Sequence, residues 1–173
     1  MRRLLEYLRR TFKLGLVLRA DSLNIIKQWV DASYAIHPDM KGHTGANMSL
    51  GGGSAISMSK KHKLNECSST RAEEIGVDDV MPQMLWTKYF CEEQGYPIEE
   101  NIMYQDNLSA MLLETNGKKS SSNRTKNIRV RYVFIKDRVS SRNIKLENCP
   151  TEGMLADHFT KPLQGNLFRN FRD

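Results

Sequence analysis

A short apolar run that ends in an acidic residue constrains this chain more than any other feature. Residues 24–30 are rich in β-branched and aromatic side chains, and the run is too short to favour a helix, so it predicts a β-strand. Alternation along a strand puts Ile25, Trp29 and Asp31 on one face. A lone carboxylate on an apolar face costs several kcal/mol unless it is paired, protonated or bound to metal. Asp31 is therefore either a functional acid or an acid in the turn that ends the strand.

Length and composition favour one globular domain. The 173 residues, 39% of them hydrophobic, suffice for a single core. No apolar run approaches the ~20 residues that span a bilayer, so no membrane partner is expected, and the N-terminus lacks the continuous apolar stretch of a signal peptide. Cys67, Cys91 and Cys149 are far apart in the sequence, which argues against a disulfide framework or a zinc site and fits an intracellular, reducing location.

The charge of the chain favours a polyanionic partner such as nucleic acid. The net charge is +6 and the isoelectric point is near 9.3. Two basic segments stand out. The cluster Lys60–Lys63 is either a solvated loop or an edge that faces phosphates. Residues 128–139 predict a helix with one basic face, which either stays solvated or contacts phosphates.

The N-terminal segment differs from the rest of the chain. Leu4, Leu5, Leu8 and Phe12 recur at helical spacing with arginines between them, which predicts one amphipathic helix that ends near Gly15. Its basic face is a candidate contact for nucleic acid. Alternatively, the segment is the tail of a preceding domain, docked by its apolar stripe.

Two short alternating runs flank a glycine triplet after the first strand. Residues 43–50 and 54–60 around Gly51–Gly53 predict an antiparallel hairpin. The triplet lacks the spacing of a phosphate-binding glycine loop and leads into a strand, so we interpret it as the hairpin turn. With the first strand, the hairpin makes a three-stranded meander.

Glu73 lies near the start of a predicted helix that passes through Pro82, where a kink is expected, and ends at about Gly95. Ser68, Ser69 and Thr70 are all N-cap candidates for this helix. If Thr70 is the cap, Glu73 occupies the third helical position and completes a capping box. Alternatively, Glu73 belongs to the apolar stripe that it forms with Val77 and residues further along, and therefore points inward at the sheet.

Two further acids occupy specific places. Asp106 ends a predicted strand over 101–107 and precedes a short predicted helix, Leu108–Glu114. Sites in α/β sheets form at such strand ends, although an Asp-Asn turn cap is the alternative. After a last predicted strand over 144–149, Asp157 has Lys161 as its i+4 neighbour, and an exposed Asp–Lys pair is the simplest interpretation.

Four motifs in this order carry a family resemblance: 30–33, 68–73, 105–107 and 156–162. Together they resemble the ribonuclease H domain at the end of the Pol polyprotein of copia-type LTR retrotransposons, over residues 24–173. Residues 1–20 resemble the last helix of the reverse transcriptase that precedes this domain. The resemblance implies an α/β, ribonuclease H-like fold, a mixed five-stranded sheet flanked by helices. It also implies an intracellular protein, in a cytoplasmic virus-like particle or in the nucleus.

The resemblance implies a reaction, endonucleolytic hydrolysis of the RNA strand of RNA–DNA hybrids. Two divalent ions about 3.5–4 Å apart suit phosphodiester cleavage, and Mg²⁺ prefers carboxylate oxygens. By resemblance, Asp31 bridges two Mg²⁺ ions, Glu73 and Asp106 hold one, and Asp157 holds the other, with Mn²⁺ as a possible substitute. Substrate contacts are expected from five residues: Arg71, Asn107, Lys126, Arg129 and Lys161.

Two positions depart from the family pattern. Related domains usually have glutamate where this chain has Arg71, and histidine where it has Asn127. Arg71 could pair with Glu73 or attract substrate, and neither change removes an expected metal ligand. The chain also lacks polymerase, integrase and protease parts, so we expect a piece of a decayed element. The alternatives to an active ribonuclease are a catalytically weak relic that binds nucleic acid and a remnant with no biochemical role.

Overall fold

The computed structural model describes residues 2–19, 24–107 and 126–172, and for residues 126–132 it describes the backbone only. Its helices and strands follow in this order: α1 (Arg2–Thr11), β1 (Ile25–Ser33), β2 (His43–Ser49), β3 (Ile56–Lys61), α2 (Ser69–Glu93), β4 (Glu100–Gln105), α3 (Lys126–Ser140), β5 (Lys145–Asn148), a 3₁₀ turn (Thr151–Gly153), α4 (Asp157–Thr160) and α5 (Gly165–Arg172). The predicted helix over Leu108–Glu114 lies outside the described residues.

The five strands form one mixed sheet in the order β3-β2-β1-β4-β5. The pairs β1–β2 and β2–β3 are antiparallel, so the predicted hairpin and three-stranded meander are present. The pairs β1–β4 and β4–β5 are parallel. The predicted fold, a mixed five-stranded sheet with flanking helices, is confirmed.

The two faces of the central strand β1 have different partners. Ile26 and Val30 are fully buried in the main core, which α2 completes with Val77 and with methionines further along the helix. The odd-numbered residues point to the other face, where Trp29 stacks on Tyr104 with 5.2 Å between the ring centroids. The more deeply buried face is therefore the even-numbered one, and the predicted face with Trp29 is only partly buried.

The start of α2 shows which of the three candidate caps the helix uses. Ser68 is the N-cap, and its side chain accepts a hydrogen bond from the backbone N–H of Arg71 at 3.2 Å. The helix begins at Ser69, so a cap at Thr70 is wrong. Glu73 consequently lies in the second turn, where it cannot complete a capping box.

The end of α2 follows the prediction closely. The helix continues through Pro82 and ends at Glu93. Gly95 has a φ of +86°, the left-handed conformation that commonly follows a helix C-cap. The N–H of Tyr96 donates to the carbonyl of Cys91 at 2.9 Å, which closes the last turn.

The N-terminal helix is shorter than predicted, and its apolar stripe is largely exposed in the described structure. It ends at Thr11, before the predicted end near Gly15. Its apolar residues are between 51% and 76% exposed: Leu4, Leu5, Leu8 and Phe12. None of the described helices is both long enough and apolar enough to cross a bilayer.

Candidate metal centre

Three carboxylates from three different elements converge at one edge of the sheet. Asp31 lies on β1, Glu73 on α2, and Asp106 directly follows β4. Each side chain offers an oxygen, and these oxygens all lie within 4.8 Å of one another. Because β1 and β4 are parallel, their carboxyl ends meet at the same edge. The strand β1 continues to Ser33, so the interpretation of Asp31 as an acid in the turn that ends the strand is wrong.

Glu73 reaches the sheet because α2 lies close to β1. Gly76 follows one turn after Glu73, and a Cβ atom there would lie 3.3 Å from the Cβ of Ala32 and 3.6 Å from a methyl of Val30. The backbone of Ala32 also hydrogen-bonds to Glu73. The inward orientation of Glu73, one of the two predicted alternatives, is therefore the observed one.

Asp157 approaches the cluster from α4 and is linked to it through Lys161. The Lys161 Nζ atom lies 2.7 Å from Oδ1 of Asp157 and 3.3 Å from Oδ1 of Asp31. The predicted i+4 contact exists, but the Asp157 side chain is only 1% exposed, so an exposed pair is wrong. Among the described residues, Asp157 is not part of the 4.8 Å cluster of carboxylates.

The crowding of these acids alters their ionisation. Burial raises the pKa of Glu73 from 4.5 to about 9, and the carboxylates of Asp31 and Asp106 add to the rise. Burial also raises the pKa of Asp106, again with a contribution from Asp31. Without a cation, Glu73 is therefore protonated at neutral pH.

Lys161 offsets part of this repulsion. Burial raises the pKa of Asp157, and the hydrogen bond from Lys161 opposes that rise. Burial lowers the pKa of the Lys161 ammonium, but the hydrogen bond to Asp157 and the charge of Asp31 outweigh burial and leave the pKa raised. Lys161 is therefore the positive charge that stands between two buried acids.

Two buried carboxylate oxygens lack a hydrogen-bond partner within the described part of the chain. They are Oε2 of Glu73 and Oδ2 of Asp157. Buried polar atoms almost always have a partner, and a carboxylate oxygen left without one can take a cation instead. Oxygen ligands of this kind suit Mg²⁺ and Mn²⁺, so the residues present fit a divalent cation.

The expected substrate contacts have different surroundings. Arg71 contacts Glu74 at 3.4 Å, rather than the Glu73 carboxylate that the sequence suggested. Asn107 follows Asp106 and is half-buried. The structure describes only the backbone at Lys126 and Arg129, so their substrate contacts stay predictions.

Sequence reasoning missed two residues beside the acids. The hydroxyl of Thr160 donates a hydrogen bond to Oδ2 of Asp31. Gly45 lies opposite Asp31 in the β1–β2 register and directly beneath α4. The three-residue spacing from Asp157 to Thr160 puts both on one helical turn, which is a weak signal, and nothing in the sequence points to Gly45.

Comparison with curated proteins identifies relatives of this chain. It is 34% identical over 145 residues to the retrovirus-related Pol polyprotein from transposon TNT 1-94 of Nicotiana tabacum, an alignment that covers 83% of the chain. It is 32% identical over 173 residues to the corresponding polyprotein from transposon RE1 of Arabidopsis thaliana, which covers 99% of the chain. The chain spans only 11–12% of the length of these relatives. No protein-family model matches it.

Solved structures share the fold. LC11-RNase H1, isolated from compost, matches 79% of the chain and 92% of its own length, with a TM-score of 0.56 and 15% identity. The N-terminal RNase H domain of a Mycobacterium tuberculosis protein matches 86% of the chain and 96% of its own length, with a TM-score of 0.52 and 12% identity. The chain is thus a relative of one segment of the retrovirus-related Pol polyproteins of plant transposons, and it has the ribonuclease H fold.

Proposed function

We propose that this chain is a ribonuclease H that hydrolyses the RNA strand of RNA–DNA hybrids with the help of divalent cations. The observation that carries the proposal is the convergence of Asp31, Glu73 and Asp106 from three separate elements. Folding gains nothing from buried acids at this spacing, because their mutual repulsion raises the cost of burial. A structure of LC11-RNase H1 in complex with an RNA/DNA hybrid has the same fold, with a TM-score of 0.53, which supports this choice of substrate.

The chain's own residues would divide the work as follows. Asp31, Glu73 and Asp106 would hold one cation, and Asp31 with Asp157 would hold a second. Divalent cations bound there supply Lewis-acid stabilisation of the charge that develops on the phosphate. Glu73 would release its proton when a cation binds, and Lys161 would add positive charge beside the substrate phosphate. Mg²⁺ is the cation we propose, with Mn²⁺ as the closest substitute.

We also propose a division of the chain. Residues 24–173 would form the ribonuclease H domain, and residues 1–20 would be the end of a copia-type reverse transcriptase. The exposed apolar side chains of α1, among them Leu8 and Phe12, support this division because they lack cover within the described chain. The partners would then be an RNA–DNA hybrid and the reverse transcriptase of the parent polyprotein, inside the cell.

A cleavage assay tests the proposal. The purified chain is incubated with an end-labelled RNA–DNA hybrid in Mg²⁺ or in Mn²⁺, beside Asp106→Asn and the matched exposed variant Asp137→Asn. Asp137 lies on α3 with 63% of its side chain exposed. We expect cleavage of the RNA strand by the unmodified chain and by Asp137→Asn, and a loss of at least about 100-fold in Asp106→Asn.

Two other outcomes separate the alternatives. Salt-dependent binding of the hybrid without cleavage in either metal would leave a nucleic-acid-binding relic, consistent with the net charge of +6. Neither binding nor cleavage by a folded protein would leave a remnant without this function. Equal cleavage by Asp106→Asn would contradict the assignment of the acids.

A further inference from the structure

We propose that Thr160 and Gly45 are positioning residues that seat α4 on the sheet and so hold Asp157 and Asp31 at the spacing that binds a cation. This inference rests on the proposed function, because it concerns the same acids. Neither residue is one of the acids, and each acts through the position of another side chain.

Gly45 provides the space that α4 occupies. A Cβ atom at Gly45 would lie 2.7 Å from the methyl of Thr160, 2.8 Å from the carbonyl oxygen of Ala156 and 2.9 Å from Cβ of Phe159. Such distances are shorter than any ordinary contact, and all three atoms belong to the same short segment. A side chain at Gly45, which lies on β2 opposite Asp31, must therefore push α4 away from β2.

Hydroxyl groups hold α4 in that space. Four residues are too few for a helix that is stable by itself, so the position of α4 must come from its contacts with the sheet. The hydroxyl of Ser33 donates to the carbonyl of Thr160, and that of Ser59 donates to the carbonyl of Phe159, each at 3.4 Å. These hydroxyls bond to two carbonyl groups in the last turn of α4, where the carbonyls of a helix lack intrahelical donors.

Thr160 also fixes the orientation of Asp31. Its hydroxyl donates to Oδ2 of Asp31, while Lys161 lies 3.3 Å from Oδ1. Both oxygens of the central acid are therefore held by adjacent residues at the end of α4. Hydrogen bonds that orient a ligating carboxylate commonly change metal affinity by 10–100-fold.

Cation affinity and stability are measured separately for a matched set of Thr160 variants. Mn²⁺ is titrated into each protein by calorimetry, and urea unfolding is followed in EDTA. Thr160→Val keeps the shape and removes the hydroxyl, and Thr160→Ser keeps the hydroxyl. Thr87→Val is the control, since Thr87 is a buried residue of α2 whose hydroxyl donates to a backbone carbonyl at 2.9 Å.

The expected pattern distinguishes positioning from a general structural role. Thr160→Val should bind Mn²⁺ at least about 10-fold more weakly, and Thr160→Ser should stay within about threefold of the unmodified protein. Thr87→Val should lower stability in EDTA while its affinity for Mn²⁺ stays unchanged.

Glycine variants test the steric half of the proposal. Gly45→Ala should weaken Mn²⁺ binding by about 10-fold or more, whereas Gly15→Ala, whose Cβ would meet no atom within 4 Å, should not. If Gly45→Ala fails to fold, the Thr160 series still decides the proposal.

The possible failures are distinguishable. If the unmodified protein and Thr160→Val bind Mn²⁺ equally, the positioning role is wrong and the proposed function stands. If the folded, unmodified protein binds no Mn²⁺, both fail. If Thr160→Ser binds Mn²⁺ as weakly as Thr160→Val, although it keeps the hydroxyl, the role of the hydroxyl is also wrong.

Discussion

At Glu73 the needs of folding and of cation binding conflict. The side chain is buried, it faces two other acids, and one of its oxygens has no partner in the described structure. Burying the charged carboxylate would cost free energy, so the folded protein keeps the Glu73 carboxyl protonated, with a pKa of about 9. A bound cation would reverse this, because positive charge favours the carboxylate.

The ionisation of Glu73 predicts how stability depends on pH. Between its ordinary pKa of 4.5 and about 9, folded Glu73 keeps a proton that the unfolded chain has released. The free energy of unfolding of the cation-free protein should therefore fall as the pH rises through this range, by up to about 1.4 kcal/mol per unit. Glu73→Gln should reduce that slope and be more stable than the unmodified protein at alkaline pH.

Urea unfolding in EDTA at about pH 5, 7 and 9 measures the slopes. The exposed variant Glu152→Gln is the control, and its slope should match that of the unmodified protein. Parallel slopes for Glu73→Gln and the unmodified protein would show that Glu73 is ionised in the fold.

Lys161 has a corresponding role on the other side of Asp31. Removing its charge in Lys161→Met would leave Asp31 and Asp157 buried without a cation. We expect the cation-free protein to lose about 1–3 kcal/mol of unfolding free energy, a range reduced because the lysine is 39% exposed. Millimolar Mg²⁺ should recover most of this loss, because it supplies the missing positive charge.

Thermal unfolding with and without Mg²⁺ checks this expectation. Lys145→Met is the matched control, since Lys145 is 59% exposed and pairs with Glu147 on the surface. Its effect should be small and independent of Mg²⁺. A loss in Lys161→Met that Mg²⁺ leaves unchanged would mean that the lysine acts by packing rather than by charge.

Among the elements, β2 and the segment before α2 are joined by a buried hydrogen-bond network. His62 lies 2.5 Å from Oε1 of Glu66 through Nδ1 and 2.7 Å from the Thr44 hydroxyl through Nε2. The N–H of Gly42 donates to the other oxygen of Glu66 at 3.0 Å. The network fixes the approach of the chain to α2, and so the place where Glu73 meets the sheet.

Breaking this network should destabilise the fold. His62→Leu would leave a fully buried carboxylate without its imidazole partner, which should cost about 3 kcal/mol of unfolding free energy. The double variant His62→Leu/Glu66→Leu should recover part of the loss, because it removes the unpaired charge. Urea unfolding of the two proteins measures the difference, and equal losses would show that the pair acts only by its shape.

The elements also show what could be predicted from the sequence. The meander, α2 and the strand before Asp106 were predicted because their apolar spacing and their turn residues agree. The N-cap of α2 stayed open between residues 68, 69 and 70, because all three carry a hydroxyl that can cap a helix. His62 lies among lysines, which suggested an exposed cluster, although its partner Glu66 follows four residues later.

The acids were easier to find than the residues that position them. Asp31 and Asp106 each follow a run that predicts a strand, and the parallel pairing of these strands in the sheet brings the two acids together. The contact between Gly45 and Thr160 joins positions far apart in the sequence. Thr160 lies in the motif 156–162, but neither residue carries a charge, and nothing in the sequence relates Thr160 to Gly45. Such contacts depend on how a short helix packs on a sheet, which periodicity cannot show.

Across the whole molecule, the chain divides into a part with a core and a part without one. The sheet, α2 and α3 share the main hydrophobic cluster, whereas α1 has no buried residue. Its described contacts with the rest of the molecule include an edge-on contact between Tyr7 and Phe168, with 6.0 Å between the ring centroids. The segment that follows α1 also forms a bridge between Arg19 and Gly52. The stability of the domain should therefore depend little on α1.

Polar substitutions on α1 test this separation. The triple variant Leu4→Gln/Leu8→Gln/Phe12→Gln should change the free energy of unfolding by less than about 1 kcal/mol, because all three side chains are largely exposed. It should also reduce self-association, measured by sedimentation velocity, because it removes a contiguous apolar surface. Val77→Ala in the core is the comparison and should cost about 2 kcal/mol. If the triple variant loses as much stability as Val77→Ala, α1 is an integral part of the domain and the proposed boundary after residue 20 is wrong.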